Sequence, residues 1–194
     1  MYKPIKRLID FILAFVAAIL LLPVFVVVAL LVKLESKGPI FFGQKRVGKH
    51  QKLFMMYKFR TMRIDTPHDM PTHMLENPEQ YITKVGKFLR KTSLDELPQI
   101  YHILKGEMAI IGPRPALWNQ YDLIELRQQN NANDIRPGLT GLAQINGRDE
   151  LSIETKAAYD GEYAKNVSFV LDLKIFFKTI KSVFTQEGIK EGKQ

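Results

Sequence analysis

The longest apolar run of the chain, from Phe11 to Val32, contains no charged or amide side chain over 22 residues. A straight helix of this length would reach about 33 Å, close to the hydrocarbon thickness of a bilayer. The run therefore predicts a retained membrane segment. Pro23, near its middle, removes a backbone hydrogen bond and favours a kink. Because cations flank the run on both sides, the pattern fits a kinked spanning helix and a helix that dips into one leaflet and returns equally well.

Beyond this segment, the spacing of apolar residues predicts several short elements. Strands are expected at residues 40–42, 54–62 and 108–111, helices at 97–104 and 117–129, and a polar, proline-rich loop at 66–80. Gly106 is expected to end the first of these helices, because glycine readily adopts the left-handed conformation of a helix end. The pair Asn146-Gly147 is typical of a hairpin turn.

The C-terminal region has the pattern of a basic amphipathic helix. One face would carry Val170, Leu173, Phe177, Ile180 and Phe184, and another Lys174, Lys178 and Lys181. Such a helix lies on a membrane surface or packs on a core with its charged face in water. The whole pattern predicts an α/β (α+β-like) fold, mostly helical with short strands, in one domain at 39–194 that follows a membrane-associated segment at 1–38.

Positive charge is concentrated around the apolar run. The chain has 28 Lys and Arg against 20 Asp and Glu, and residues 1–63 hold 12 of these cations against two acids, so the remainder is net −2. Beyond the membrane segment these cations are Lys33, Lys37, Lys45, Arg46, Lys49, Lys52, Lys58, Arg60 and Arg63. Such a region is attracted to anionic lipid by about 1 kcal/mol per cation. Nucleic acid is not the expected partner, since no helix-turn-helix or zinc pattern accompanies the cations.

The absence of cysteine leaves neither a disulfide framework nor a thiolate metal site, which suits a domain facing the cytoplasm.

Two adjacent carboxylates, Asp95 and Glu96, lie between Ser93 and Pro98. Adjacent carboxylates repel unless a cation joins them, and Mg²⁺ is the natural partner when the substrate is a diphosphate. The pattern alone favours helix capping instead, either with Asp95 as N-cap or with Ser93 and Glu96 as a capping box. The two roles are compatible, since a helix N-terminus favours anions.

Arginines recur near glycine and proline in the following segments. Arg114 lies between two prolines, which hold its backbone extended and present the guanidinium from a stiff segment. The run from Arg136 to Arg148 contains three glycines but matches neither a P-loop nor a dinucleotide-binding fingerprint. Taken together with the carboxylates, these arginines predict a site that handles phosphate.

Long ordered motifs carry a resemblance to a known family: KTSLDELPQ at 91–99, GPRP at 112–115, RPGLTGLAQINGR at 136–148 and NVSFVLDLK at 166–174. The chain resembles the bacterial sugar transferases, specifically the short-form monotopic phosphoglycosyl transferases. The resemblance implies transfer of a sugar 1-phosphate from a UDP-sugar to polyprenyl (undecaprenyl) phosphate with release of UMP. It also implies a re-entrant membrane helix on the cytoplasmic face of the bacterial inner membrane. Leu22-Pro23 stands where the family typically has Ser-Pro.

The resemblance also implies residue roles. Asp95 is expected to form a covalent phosphosugar intermediate, and Glu96, together with Asp95, to bind Mg²⁺. Substrate phosphates or the nucleotide are expected to bind Arg90, Arg114, Arg136 and Arg148. Two other functions stay open: a nonenzymatic scaffold on the membrane surface, and direct glycosyl transfer that leaves UDP. The residues identify neither the sugar, the glycan pathway nor the oligomeric state.

Overall fold

The computed structural model describes residues 2–66, 77–147 and 150–185. The helices are α1 (Tyr2–Leu20), α2 (Leu22–Glu35), α3 (Lys84–Thr92), α4 (Gln99–Lys105), α5 (Tyr121–Gln129), α6 (Ile153–Lys165) and α7 (Phe169–Thr185). The strands are β1 (Phe41–Val47), β2 (Leu53–Phe59), β3 (Ala109–Ile111) and β4 (Gly138–Thr140). The described chain is mostly helical with a few short strands, as the sequence predicts.

The predicted membrane segment forms two helices bent by 63° relative to each other. Pro23 lies in the first turn of α2, where its missing N–H has no intrahelical partner to lose. Within the described residues no single helix is long and apolar enough to cross a membrane, and only the bent pair meets that test together, by length and composition. The predicted kink is therefore confirmed as a break between two helices, and the path of the pair through a bilayer stays a prediction.

Each membrane-segment helix packs one face on the rest of the protein. Ala14 of α1 lies in a cluster with Phe54 and Ile103, and Val28 of α2 lies in another with Phe59. Most other apolar side chains of the pair are exposed, among them Leu20 at 70% and Leu34 at 81%. The boundary between residues 38 and 39 stays a prediction, since both helices contribute to cores shared with the body.

A buried polar cluster ties the start of α1 to the C-terminal helices. Asp172 of α7 accepts hydrogen bonds from the hydroxyls of Tyr2 at 2.8 Å and Tyr163 at 2.6 Å. Lys6 Nζ lies 3.0 Å from Asp172 and 3.4 Å from Asp10. Two buried carboxylates thus share one lysine, and the N-terminal turns of α1 are fixed to α6 and α7.

Strands β1 and β2 form an antiparallel hairpin in which Phe42 pairs with Lys58, while β3 and β4 pair in parallel. The predicted strand at 108–111 and the helix ended by Gly106, at φ 88°, are confirmed. The hairpin turn predicted at Asn146-Gly147 is wrong, because residues 144–146 form a 3₁₀ turn and β4 pairs with β3. The predicted loop at 66–80 lies largely outside the described residues.

Helix α7 confirms the predicted C-terminal helix but not a core-packed apolar face. Ile175 is fully buried, whereas Val170 and Phe177 are 75% and 61% exposed. Leu173 and Ile180 of the same predicted face are also exposed. The outward apolar face is the arrangement expected of a helix that lies on a membrane surface.

Candidate active site

The segment that carries the adjacent carboxylates is a tight turn between two helices. Ser93, at φ 56°, ends α3, residues 94–96 form a 3₁₀ turn, and Pro98 precedes α4 without any side-chain cap. Both capping predictions for Asp95 and Glu96 are therefore wrong. The physical reason is that the left-handed Ser93 closes α3 and α4 starts only after Pro98, so neither carboxylate lies at the first turn of α4.

Instead, the carboxylates face a lysine from the hairpin. Lys58 Nζ lies 2.6 Å from Glu96 Oε1 and 3.7 Å from Asp95 Oδ2. Arg114 adds a second cation, 3.2 Å from the same Glu96 oxygen. Asp95 is 9% exposed, and the side chain of Lys58 is 18% exposed. The adjacent acids are thus joined by a shared ammonium, which offsets their mutual repulsion.

Burial and charge act in opposite directions on these groups. Burial raises the pKa of the Asp95 carboxyl, while Lys58 opposes that rise and Glu96 adds to it; Arg90 and Arg114 also oppose it. Burial lowers the pKa of the Lys58 ammonium, against the attraction of Glu96 and Asp95. A carboxylate held in this way combines low hydration with a nearby cation, which is typical of groups that carry out chemistry.

Arg114 is positioned by close packing of two glycine-containing segments. The Gly112 N–H donates to Thr140 O at 2.8 Å, and the Gly138 N–H donates to Pro113 O at 2.8 Å. A Cβ at Gly138 would lie 2.1 Å from the Gly112 nitrogen, so only glycine permits this approach. At Gly138, the glycine-rich run thus packs directly against the backbone of Gly112 and Pro113 and supports the segment that carries Arg114.

Arg46 holds the other side of this segment. Its guanidinium donates to Pro115 O at 2.9 Å and to Gln44 Oε1 at 2.5 Å. Burial and the neighbouring Arg114 lower the pKa of Arg46 to about 9, with Glu96 acting in the opposite direction. Arg46 therefore stays charged at neutral pH and adds to the positive field around the carboxylates.

The structure brings together four of the six residues predicted for the site: Asp95, Glu96, Arg90 and Arg114. Arg136 lies elsewhere, with its Nε donating to Gly106 O at the C-terminal end of α4. Arg148 lies outside the described residues.

Lys58 and Arg46 are site residues that the sequence prediction missed, since the pattern groups them with the juxtamembrane cations. The available signal was a charged residue at an inward position of each strand: Lys58 shares a face with Phe54 and Met56. An inward lysine in a strand needs a buried anion, and the adjacent acids are the natural candidates.

Magnesium fits the donor set of this site. Within the described ranges there is no cluster of three or more His, Cys, Asp or Glu side chains that could enclose a metal. Mg²⁺, however, usually keeps several waters and is bound by one or two carboxylates together with substrate phosphates. Asp95 and Glu96 supply such a pair.

Comparison with known proteins gives the family. The model of the family described as "Bacterial sugar transferase" matches residues 1–186. The exopolysaccharide production protein ExoY of Sinorhizobium fredii is 40% identical over 94% of this chain and 87% of its own. The uncharacterized sugar transferase EpsL of Bacillus subtilis is 41% identical over 96% of this chain and 91% of its own.

A third relative has a more specific name. The UDP-glucose:undecaprenyl-phosphate glucose-1-phosphate transferase of Klebsiella pneumoniae is 41% identical over 94% of this chain and 41% of its own length. The chain therefore spans most of the short relatives and less than half of this longer one. The match over nearly the whole chain shows that this protein belongs to the bacterial sugar transferase family of enzymes.

Proposed function

We propose that the protein transfers a sugar 1-phosphate from a UDP-sugar to polyprenyl phosphate and releases UMP. The observation that carries the proposal is the arrangement of Asp95 and Glu96 around Lys58, next to Arg114. Relatives named as transferases onto undecaprenyl phosphate support the acceptor. Their names give different sugars, glucose, galactose and N-acetylgalactosamine, so the proposal leaves the sugar open.

In the first half of the reaction, the ionised Asp95 attacks the phosphorus that bears the sugar. A bond forms between an Asp95 oxygen and this phosphorus, and the bond to the oxygen of UMP breaks, so UMP leaves with its electron pair. In the second half, a phosphate oxygen of the polyprenyl phosphate attacks the same phosphorus. The Asp95 carboxylate leaves, and the product is a polyprenyl diphosphate sugar.

The cations near Asp95 and Glu96 contact the two carboxylates differently, which suggests a different role for each. Glu96 Oε1 is engaged by both Lys58 and Arg114, whereas the ion pair of Asp95 with Lys58, within the part of the chain that the structure describes, is longer, at 3.7 Å. Asp95 therefore has the freer oxygens for attack, and Glu96 is the fixed partner. Arg114 and Arg90 would bind diphosphate oxygens, a role that suits the planar guanidinium.

Mg²⁺ would be held by Glu96 together with Asp95. Bound there, it would neutralise negative charge on the diphosphate and on the departing UMP. Lys58 opposes the rise in the pKa of Asp95 that burial causes, and it does so whether or not the metal is present.

The same proposal places the enzyme on the cytoplasmic face of the inner membrane. The exposed apolar faces of the bent α1–α2 pair and of α7 suit a monotopic arrangement, in which the pair enters one leaflet and returns. The cations before and after the pair then both stay in the cytoplasm.

Nucleotide by-products test the proposed reaction. The full chain in vesicles that contain undecaprenyl phosphate is given UDP-glucose, UDP-galactose and UDP-N-acetylgalactosamine in separate assays. We expect continuous UMP formation with at least one donor, dependent on the lipid acceptor, and none with Asp95→Asn. Release of UDP would show direct glycosyl transfer and would overturn the proposal.

A further inference from the structure

A small cationic cavity lies at the other end of α4 from Asp95. Its volume is about 90 Å³, well below the roughly 300–1,000 Å³ typical of pockets for drug-sized ligands. The cations that line it come from three parts of the chain: Lys3, Lys6, Arg7, Lys49 and Arg136. Neither Asp95 nor Lys58 lines this cavity, so it is separate from the candidate active site.

Two of the cations are held rigidly without being neutralised. Arg7 donates to Ile103 O at 2.6 Å and to Leu104 O at 2.9 Å, and Arg136 Nε donates to Gly106 O at 2.8 Å. These acceptors are carbonyls at the C-terminal end of α4, which orient the guanidinium groups and carry only partial negative charge. A Cβ at Gly106 would lie 3.2 Å from an Arg7 nitrogen, so this glycine gives the guanidinium room.

The two acids that line the cavity already have partners, one of which, Lys6, is itself a lining residue that also pairs with Asp172. Asp10 lies 3.4 Å from Lys6 and accepts from the Ile110 N–H, and Asp134 lies 3.2 Å from His50. Among the described residues, no carboxylate forms an ion pair with Lys3, Arg7, Lys49 or Arg136. Five cations against two acids leave the lining at net +3.

The cavity adjoins the apolar surface of the protein. Leu8, the residue after Arg7, is 60% exposed, and Phe11 and Ile12 follow on the same helix at 43% and 50%. Tyr2 contacts Phe169 of α7 edge to face, at 6.3 Å between ring centroids. The cations therefore lie where an apolar face begins, at the depth that lipid phosphates occupy when such a face enters a bilayer.

We propose that this cavity binds the phosphate of an anionic membrane lipid. Three of the lining cations, Arg7, Lys49 and Arg136, are half-buried and have no carboxylate partner among the described residues. Such cations bind phosphate oxygens through charge-assisted hydrogen bonds. The cavity holds a group the size of a phosphate and not a nucleotide. The inference rests on the proposed membrane location of α1 and α2, but it does not depend on the transfer reaction.

Native mass spectrometry of the full chain in detergent tests the site. The probe is an equimolar mixture of phosphatidylglycerol and phosphatidylcholine, with no UDP-sugar or polyprenyl phosphate present. We expect the wild type to retain phosphatidylglycerol in preference, and Lys49→Gln and Arg136→Gln each to reduce that retention about fivefold. Asp134→Asn should increase it. Lys52→Gln is the matched control, since Lys52 is exposed on the same turn and outside the cavity, and should have no effect.

Lys49→Gln keeps the test decisive if Arg136→Gln fails to fold, because the Lys49 side chain makes no hydrogen bond or ion pair within the described residues. Equal losses of phosphatidylglycerol retention with Lys49→Gln and Lys52→Gln would show diffuse electrostatic attraction and overturn the proposal.

Inorganic phosphate is the second probe. If it binds the wild type but not Lys49→Gln while neither lipid is preferred, the site takes a soluble anion and the lipid assignment is wrong. Failure of UMP release in the separate assay would refute the proposed reaction and leave this result standing.

Discussion

Lys58, in the hairpin, donates a hydrogen bond to Glu96 Oε1 at 2.6 Å. The two residues are 38 positions apart in the chain, so the contact joins strand β2 to the turn before α4. The contact fixes Glu96. It also brings the Lys58 ammonium to 3.7 Å from Asp95 Oδ2, a distance too long for a hydrogen bond. The hairpin thus immobilises Glu96, the neighbour of the carboxylate that we propose as the nucleophile.

Asp95→Asn should reduce turnover by at least about a thousandfold, because an amide cannot act as the anionic nucleophile. It should also raise the thermal stability at pH 7. The pKa of Asp95 is raised in the fold by burial, so above that pKa the ionised carboxylate is less favourable in the folded chain than in the unfolded one. The stability gain should shrink as the pH falls, because the wild-type carboxyl becomes protonated. Retained turnover, or a lower melting temperature at pH 7, would contradict this account.

Lys58→Met should move the acidic limb of the pH profile of kcat/KM to higher pH. Loss of the ammonium removes the main charge that opposes the raised pKa of Asp95, so protonation of the nucleophile begins at a higher pH. Turnover at neutral pH should fall about a hundredfold. Lys52→Gln, on the exposed turn of the same hairpin, should leave the profile unchanged. An unshifted acidic limb in Lys58→Met would show that Lys58 does not control Asp95.

The Arg127–Asp160 pair should matter for stability and not for chemistry. Arg127 of α5 lies 2.6 Å from Asp160 of α6, and both side chains are buried. Asp160→Asn leaves a buried guanidinium without its counter-charge, which typically costs about 3–5 kcal/mol. We expect a clear drop in the melting temperature in detergent. Glu162→Gln, exposed on the same helix, is the control. Equal melting temperatures for both variants would show that the buried pair adds nothing.

Labelling in intact cells tests the membrane path of α1 and α2. The chain has no native cysteine, so Pro4→Cys and Lys37→Cys provide single thiols at exposed positions on either side of the pair. Both thiols should resist a membrane-impermeant reagent until the inner membrane is opened. Labelling of Pro4→Cys from outside would show a spanning path.

Local features of the fold could be predicted from the sequence. The apolar spacing before Gly106 and the left-handed preference of glycine predict α4 and its end. The break at Pro23 follows from the same kind of local argument. Long-range contacts could not be predicted in this way: the place of Lys58 depends on how the hairpin packs on residues 94–96.

The arginines illustrate the same limit. Arg114 lies at the carboxylates because two glycine-containing segments pack closely, which its own flanking prolines do not reveal. Arg136 belongs to an equally basic motif, yet it lies at Gly106 because β4 pairs in parallel with β3. Its motif predicts contact with phosphate but does not reveal that Arg136 lies away from Asp95 and Glu96.

The most direct test of the central claim is the intact mass of the protein after incubation with a UDP-sugar that supports turnover, without lipid acceptor. We predict a mass increase of one sugar phosphate, mapped to Asp95, absent in Asp95→Asn and removed when polyprenyl phosphate is added. UMP release that requires both substrates at once, with no adduct on the protein, would contradict the two-step mechanism at Asp95.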